Sequence, residues 1–389
     1  MLDLRQCQRQ IDQLVTERLE QQEDYSLRLE RGLAAMRQAE ADWAALQRKI
    51  VASRTTWLVA ELTQGLTTAR PVADAVRPLA VVAADGSQIF PDRHEIASCY
   101  LLNLGLIALY YGTGERPILR NEPHLYYKDD DLYPRIAGRQ SSISPELVGM
   151  KRTVMEAEAL VGLAAQAQDK GYPVVALSDG TLILWSLEGY FPEVKQEFLA
   201  GFLGALAEFR QRGIPCAGYI SQPGATEVVG ALRVAICPEA APNCDRCPYR
   251  DQAELPCDAV AGLTDAVLFS RLLQEGEYSP RFLSCSKILH EYGEQRIAFC
   301  YLNVGEEIVR LEFPDWLSEG QLRQLLAAAY DQAKKGGGYP VALAEAHEQA
   351  VVRAAEREAF YRLLGKRLVE KGVRAQVSYK SLRKRGVYV

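Results

Sequence analysis

Two Asp-Gly pairs in the sequence follow apolar runs that are rich in β-branched residues. Asp85 stands in VVAADGS and Asp179 in VALSDGT, so each carboxylate is predicted at or near the carboxyl end of a strand. Open α/β sheets place their functional side chains at such ends, although Asp-Gly is also a common turn dipeptide. If the two strands are parallel neighbours, we expect the two carboxylates to lie close together.

A predicted helix between the two aspartates offers a third carboxylate. In VGMKRTVMEAEALVGLAA, Glu156 lies four residues after Arg152, which is the spacing of an ion pair on one helix face. Glu158 shares a face with Val154 and Val161, so it is the alternative. Clustered carboxylates repel each other unless cations lie between them, and Mg²⁺ and Mn²⁺ prefer oxygen ligands. Such ions can serve both ends of an in-line phosphodiester hydrolysis.

The elements that must position these acids alternate in type along the chain. Three strands come first (LAVVAADGSQIF, IASCYLLNLGLIALYYG and RPILRNEPHLYY), and then helices alternate with the strands PVVALSDGTLIL and PCAGYIS. Closely spaced strands favour antiparallel pairing, and strands separated by helices favour parallel pairing. The pattern therefore predicts an α/β fold with a mixed sheet flanked by helices. Two further strands, a helix over 318–335 and a single helix over 340–364 complete the chain.

The pattern also predicts a division of the chain into two parts. Residues 1–66 carry apolar residues at helical spacing and are predicted as an N-terminal helical arm or hairpin. Residues 79–389 are predicted as one α/β domain with a cysteine-rich loop insertion at 237–257.

Four cysteines of that insertion could enclose one soft-metal centre. They stand in CPEAAPNCDRCPYRDQAELPC with the spacing C-x6-C-x2-C-x9-C. Four thiolates suit either Zn²⁺ or a [4Fe–4S] cluster, and free or disulfide-bonded thiols are the alternative. The four residues are Cys237, Cys244, Cys247 and Cys257.

Charge and hydropathy limit the partners of the chain. The 389 residues carry a net charge of −5, so a nucleic-acid site must be locally basic or must use bound cations. A basic cluster near the C-terminus is the predicted DNA contact, and Arg310 is a second candidate. No secretory signal or membrane-spanning run is apparent, so we expect a cytoplasmic protein without a membrane partner. The basic cluster consists of Lys380, Arg383, Lys384 and Arg385.

Motifs along the chain resemble those of the NurA nucleases. In YPVALAEAHEQAVV, Tyr339 precedes His347 by eight residues, which resembles the last NurA motif. The segments around Asp85 and Asp179 resemble the first and third motifs. RTVMEAEAL resembles the helical motif, and its R-x-x-x-E spacing makes Glu156 a better match than Glu158. The order of elements resembles the RNase H-like fold.

The resemblance implies a DNA nuclease that depends on Mn²⁺ or Mg²⁺. It implies a 5′-to-3′ exonuclease that also cuts single strands internally. It further implies a homodimer that works with HerA, a hexameric ATPase, in DNA end resection during double-strand-break repair. Two alternatives stay open: a catalytically silent DNA clamp or adaptor for a ring ATPase, and an RNA-cleaving RNase H-like enzyme.

The implied site combines carboxylate ligands with His347 and Tyr339. The acids Asp85, Glu156 and Asp179 are its metal ligands, with Glu158 as the alternative to Glu156. His347 could bind metal, donate to a phosphate or shuttle a proton. Tyr339 could position a phosphate or stack on a base.

Overall fold

The computed structural model describes residues 3–91, 97–136 and 138–372. Ten helices lie in these ranges: α1 (Leu4–Ala41), α2 (Trp43–Ala52), α3 (Asp129–Leu132), α4 (Pro145–Asp169), α5 (Pro192–Arg212), α6 (Glu227–Ile236), α7 (Asp265–Phe269), α8 (Glu319–Lys335), α9 (Val341–Ala350) and α10 (Ala354–Glu370). The same ranges hold thirteen strands: β1 (Glu61–Leu62), β2 (Arg70–Pro71), β3 (Leu79–Ile89), β4 (Tyr100–Tyr111), β5 (Ile118–Tyr126), β6 (Arg135–Ile136), β7 (Arg139–Gln140), β8 (Val174–Asp179), β9 (Cys216–Ile220), β10 (Glu277–Tyr278), β11 (Phe282–Leu283), β12 (Ile297–Asn303) and β13 (Ile308–Pro314).

The chain forms two compact units, and each is discontinuous in sequence. The first unit contains Met1–Val72 and Tyr219–Asp315, and the second contains Ala73–Gly218 and Trp316–Val389. The N-terminal helices therefore share a unit with a later stretch of the chain that includes the cysteine-rich loop. The domain boundaries predicted from the sequence, 1–66 and 79–389, remain a prediction.

The second unit has a mixed sheet with the strand order β5-β4-β3-β8-β9. The strand β4 pairs antiparallel with both β3 and β5, while β8 pairs parallel with β3. Helix α4 packs against β3 and β8, and helix α9 packs against β3 and β4. Numbered within the unit, the strand order is 3-2-1-4-5 with the second strand reversed, which is the RNase H-like topology and confirms the predicted mixed α/β fold.

Local sequence signals explain where the helices of this unit begin and end. Ser144 accepts a hydrogen bond from the Leu147 backbone N–H at the start of α4, and Pro145 is the first residue of that helix. Helix α5 ends at Gly213, whose φ of +66° is a left-handed conformation that glycine adopts without strain. Strand β8 ends at Asp179, and the next residue, Gly180, has a φ of +88°.

The single helix predicted over 340–364 is wrong, because the chain forms α9 and α10 instead. The Ala350 carbonyl accepts hydrogen bonds from Ser87 Oγ at 2.5 Å and from Asn103 Nδ2 at 2.7 Å. Val351 then adopts an extended conformation with ψ near 129°. Side chains from β3 and β4 thus satisfy the end of α9, and this tertiary contact overrides the helical pattern of the sequence.

The first unit buries an apolar core beneath a second set of strands. Its strands follow the order β1-β11-β12-β13, and β10 pairs with both β2 and β12. Helices α1, α2 and α6 pack over this core through residues such as Met36, Leu46 and Leu232. In the part of α1 that precedes about residue 28, nearly all described side chains are exposed.

Arg310 lies in the interior of the first unit, so its prediction as a DNA contact is wrong. Its side chain is 2% exposed and forms ion pairs with Glu227 at 2.6 Å and Glu312 at 2.9 Å. The guanidinium also lies 3.7 Å from the centroid of the Phe299 ring. A buried cation with two carboxylate partners is held by the fold and cannot reach a phosphate. Sequence alone did not reveal this. Polar and apolar residues alternate in β13 as in a half-exposed strand, but every residue of the strand is buried.

Two further predictions meet the limits of the described ranges. Within 3–91, 97–136 and 138–372, no helix combines the length and the apolar character needed to cross a membrane. The predicted DNA-binding tail lies outside the described residues. That tail is Lys380, Arg383, Lys384 and Arg385.

Candidate active site

The strand register brings Asp85 and Asp179 to neighbouring positions. Strands β3 and β8 pair in parallel from Ala80 with Val174 to Ala84 with Ser178. The two aspartates are the next residues of their strands, so they stand side by side where the pairing ends. Strand β8 stops at Asp179, whereas β3 continues to Ile89. The prediction that Asp85 lies at or near the carboxyl end of its strand is wrong, because β3 continues beyond it and its Asp-Gly pair is not a turn; only the pairing with β8 ends there.

Alternation along β3 sends successive side chains to opposite faces of the sheet. Asp85 pairs with Gly105 of β4, and a Cβ on Gly105 would point at the backbone of α9. Asp85 therefore faces α9. A Cβ on Gly86 would meet Glu156 and Arg152, so the next position of β3 faces α4.

His347 projects from α9 onto Asp85. Its Nδ1 lies 2.8 Å from Asp85 Oδ2, and the side chains are 62% and 16% exposed. The imidazole is thus held through one nitrogen while much of the ring stays open to solvent. Ser87 and Asn103 fix the end of α9 through the Ala350 carbonyl, so these two residues help to position His347.

Glu156 extends from α4 towards the two aspartates. Its side chain is 13% exposed, and its Oε1 lies 3.0 Å from Arg152 Nε. Neither of these two buried atoms makes a hydrogen bond with any residue that the structure describes. Arg152 is instead held by Gln88 of β3, whose Oε1 accepts a hydrogen bond from Arg152 Nη1 at 2.8 Å. Within the described part of the chain, Glu156 Oε1 therefore has a charge partner but no hydrogen-bond donor.

The surroundings of this cluster disfavour the ionised form of Glu156 beside the two aspartates. Burial raises the pKa of Glu156 to about 8, Arg152 opposes this rise, and the carboxylates of Asp85 and Asp179 add to it. A cation bound beside Glu156 would favour its ionised form and would offset the repulsion from the two aspartates.

One cavity of about 410 Å³ contains the three acids in its lining. Apolar side chains line much of the remainder, and Trp185 and Phe202 are among them. Glu158, the alternative ligand, lines a different cavity together with Tyr100 and Lys151. The structure therefore places Glu156, and not Glu158, with the two aspartates.

The donor set of the site fits a hard divalent cation. It offers carboxylate oxygens from two strands and one helix, which are the ligands that Mg²⁺ and Mn²⁺ prefer. Among the residues that the structure describes, no three His, Cys, Asp or Glu side chains already stand in an arrangement that could hold a metal ion. Side-chain rotation would have to complete the coordination.

The remaining predicted residues stand apart from this cavity. Tyr339 is half-buried just ahead of α9 and does not line the cavity. The four predicted cysteine ligands lie in the first unit, where they line a small cavity of their own.

The sequence reasoning missed the residues that support His347. Gly105, Asn103 and Ser87 lie in β3 and β4, and all three act on α9. A glycine inside a long apolar strand often marks a close approach of another backbone, and Gly105 carries that signal. Asn103, a polar residue two positions earlier in the same apolar run, is a second signal of this kind. Trp185 was missed as well, since nothing in its local sequence links it to the acids.

The strand order and the acidic cluster define an RNase H-like domain with a carboxylate site. The family model described as "NurA domain" matches residues 79–352. This is well over half of the chain, so the chain belongs to the NurA family, as its motifs predict. Family membership and the acidic site together support a nuclease.

Solved structures with similar folds include several nucleases. The NurA nuclease from Sulfolobus solfataricus is 12% identical, with a TM-score of 0.48 over 78% of this chain and 88% of that one. A second NurA structure is 14% identical, with a TM-score of 0.37 over 76% and 90%. The catalytic domain of human endonuclease V is 14% identical, with a TM-score of 0.32 over 76% and 92%. No curated protein sequence matches the chain.

Proposed function

We propose that this chain is a Mn²⁺- or Mg²⁺-dependent deoxyribonuclease. The observation that carries the proposal is the meeting of Asp85, Glu156 and Asp179 at one cavity, with His347 held 2.8 Å from Asp85. Phosphodiester hydrolysis needs an activated water and a way to neutralise charge on the departing oxygen. Carboxylate-bound divalent cations supply both when they are present.

Each residue of the site has a distinct task in this proposal. Asp85, Glu156 and Asp179 would hold the cations. His347 would exchange a proton with the substrate through Nε2, because its Nδ1 is engaged by Asp85 and its ring is largely exposed. Tyr339 would contact the nucleotide from the start of α9, as the family resemblance implies. The basic tail 380–385 would contact the DNA backbone.

Family membership supports a finer proposal about substrates and pathway. We propose 5′-to-3′ exonuclease activity together with internal cleavage of single-stranded DNA. The pathway would be DNA end resection in double-strand-break repair. A time course on end-labelled single and double strands distinguishes the polarity, because a 5′-to-3′ enzyme releases the 5′ label first.

Two partners belong to the same proposal: a second copy of the chain and a HerA-type hexameric ATPase. The exposed part of α1 offers apolar side chains that would be covered in an assembly, and they include Leu4, Ile11 and Leu14. Light scattering on the full chain tests for the dimer. Co-elution with the ATPase, together with stimulated cleavage, tests for the second partner. A monomer that neither binds the ATPase nor is stimulated by it contradicts both proposals.

The deciding experiment compares wild type with Asp85→Ala on labelled single-stranded DNA in the presence of Mn²⁺. We expect cleavage to fall by about 100-fold or more, because a lost ligand also frees His347 from its partner. A matched RNA strand tests the RNA-cleaving alternative. If the wild type binds DNA but does not cut it with any divalent cation, the chain is a silent clamp or adaptor and the enzymatic proposal fails.

A further inference from the structure

The cysteine-rich loop of the first unit, residues 237–257, gathers its four thiols at one place. Cys237, Cys244, Cys247 and Cys257 all line a single cavity of about 30 Å³. None of the four forms a disulfide. This cavity is separate from the carboxylate site, which belongs to the second unit.

The thiols are close enough to act on one another electrostatically. Burial raises the pKa of Cys244, and a hydrogen bond from the Thr56 backbone opposes this rise. Cys257, Cys247 and Cys237 each raise the pKa further. Cys244 and Cys257 are 13 residues apart in the sequence, yet both line the same cavity.

The loop has almost no buried core of its own. Between the end of α6 at Ile236 and the start of α7 at Asp265, the structure has 3₁₀ turns but no α-helix and no strand. In 237–257, only Pro242 and Cys257 are buried. A connection of this length without a core of its own is uncommon in a compact unit. Small segments of this kind are usually held by a disulfide or a metal.

Two cationic side chains, Lys49 and Arg233, contact cysteines of the loop. Lys49 Nζ donates a hydrogen bond to the Cys237 carbonyl at 2.5 Å. Arg233 Nη2 lies 3.8 Å from Cys257 Sγ, and the Arg233 guanidinium stacks 4.0 Å from the Trp57 ring centroid. Neighbouring cations stabilise thiolates, and the thiolate is the form that binds metal.

We propose that Cys237, Cys244, Cys247 and Cys257 bind one Zn²⁺ through four thiolates. Four soft ligands suit a tetrahedral zinc site. The cavity that the four cysteines line has a volume of about 30 Å³, which leaves room for one ion between the thiolates. Binding releases the thiol protons to solvent and changes no oxidation state.

Metal binding would also complete the local structure. The described residues contain no preformed metal-binding group, so the thiols must turn inward as zinc binds. Coupling of this kind between metal binding and folding is common in small cysteine sites. The ion would tie Cys237, at the end of α6, to the 3₁₀ turn Pro256–Val260 that contains Cys257.

The test measures metal on the full chain, purified without chelator. We expect one equivalent of zinc per chain, and replacement by Co²⁺ should give the sulfur-to-cobalt charge-transfer and visible bands of a tetrahedral thiolate site. Cys247→Ser should weaken zinc affinity by more than about 10-fold and remove these bands. The matched control is Cys285→Ser, since Cys285 is an exposed thiol outside the loop. It should bind zinc like the wild type.

Other outcomes overturn the proposal. Bound iron with the broad visible absorption of a cluster excludes a single zinc ion, and wild-type protein that takes up neither zinc nor cobalt excludes a metal site. If Cys247→Ser fails to fold, chelation of the wild type replaces it, and we expect faster proteolysis within 238–256. The Asp85→Ala variant should keep its zinc, which separates this result from any failure of the proposed nuclease.

Discussion

Gly105 allows α9 to approach the sheet closely enough for His347 to reach Asp85. A Cβ at this position would lie 2.1 Å from the Ala346 carbonyl oxygen and 2.6 Å from the Ala350 backbone nitrogen. Both atoms belong to the α9 backbone, so no side-chain rotation can relieve the contact. Gly105→Ala therefore forces the helix away from β4.

The size of this displacement follows from ordinary contact distances. Non-bonded carbon and oxygen atoms need more than about 3 Å, so α9 has to retreat by about 1 Å. His347 lies one residue after Ala346, and its 2.8 Å contact with Asp85 would lengthen beyond hydrogen-bond distance. A misplacement of about 1 Å can cost about 100-fold in rate. Overpacking of this kind also costs about 1–3 kcal/mol in the free energy of unfolding.

The assay is single-turnover cleavage of single-stranded DNA with saturating Mn²⁺, paired with urea denaturation of each variant. We expect Gly105→Ala to cut about 100-fold more slowly while remaining folded at the assay temperature and binding DNA normally. Gly149→Ala is the matched control, because a Cβ at this position of α4 meets nothing within 4 Å. It should retain full activity. Wild-type cleavage by folded Gly105→Ala would refute the role assigned to this glycine.

Two further predictions follow from the acids of the two units. Glu156→Gln should reduce cleavage by about 100-fold or more, whereas Glu158→Gln, on the same helix but in another cavity, should cleave like the wild type; equal loss in both variants contradicts the proposed ligand. Burial raises the pKa of Asp265 to about 6, against about 3.9 in an unfolded chain. The folded state therefore binds this proton more tightly, and the stabilisation present below about pH 4 is lost as the pH rises through 6. Asp265→Asn should remove about 2 kcal/mol of this decline in the free energy of unfolding between pH 4 and 7. A variant whose stability to urea falls with pH as steeply as that of the wild type contradicts the prediction.

Sequence reasoning located the acids because their positions depend on local patterns. Asp85 and Asp179 each end an apolar run, and the strand order makes those runs parallel neighbours. The R-x-x-x-E spacing identified Glu156. Helical periodicity alone pointed to Glu158 as an inward-facing residue, but that position is exposed and faces another cavity. Packing decides which face of a helix meets the sheet, and the weak amphipathicity of α4 does not identify that face in the sequence.

Features that depend on distant partners could not be predicted. The break between α9 and α10 comes from Ser87 and Asn103, which are more than 240 residues away in the sequence. The burial of Arg310 depends on Glu227 of α6 and Glu312 on its own strand. A charged residue in a strand is predicted to be exposed unless its buried partners are known, because burying an unpaired charge is costly. Both errors concern tertiary contacts that local propensity does not encode.

The end of β8 is what allows the acids to meet. Asp85 faces α9 and Glu156 comes from α4, so the sheet itself lies between the two helices that serve the site. Along the paired length of β3 and β8, no side chain on one face can reach the other. Beyond the pairing of Ala84 with Ser178, β8 turns away at Gly180 while β3 continues, and the separation disappears. The positive φ of Gly180 therefore belongs to the site, because a strand that ran further would keep Asp85 and Glu156 apart.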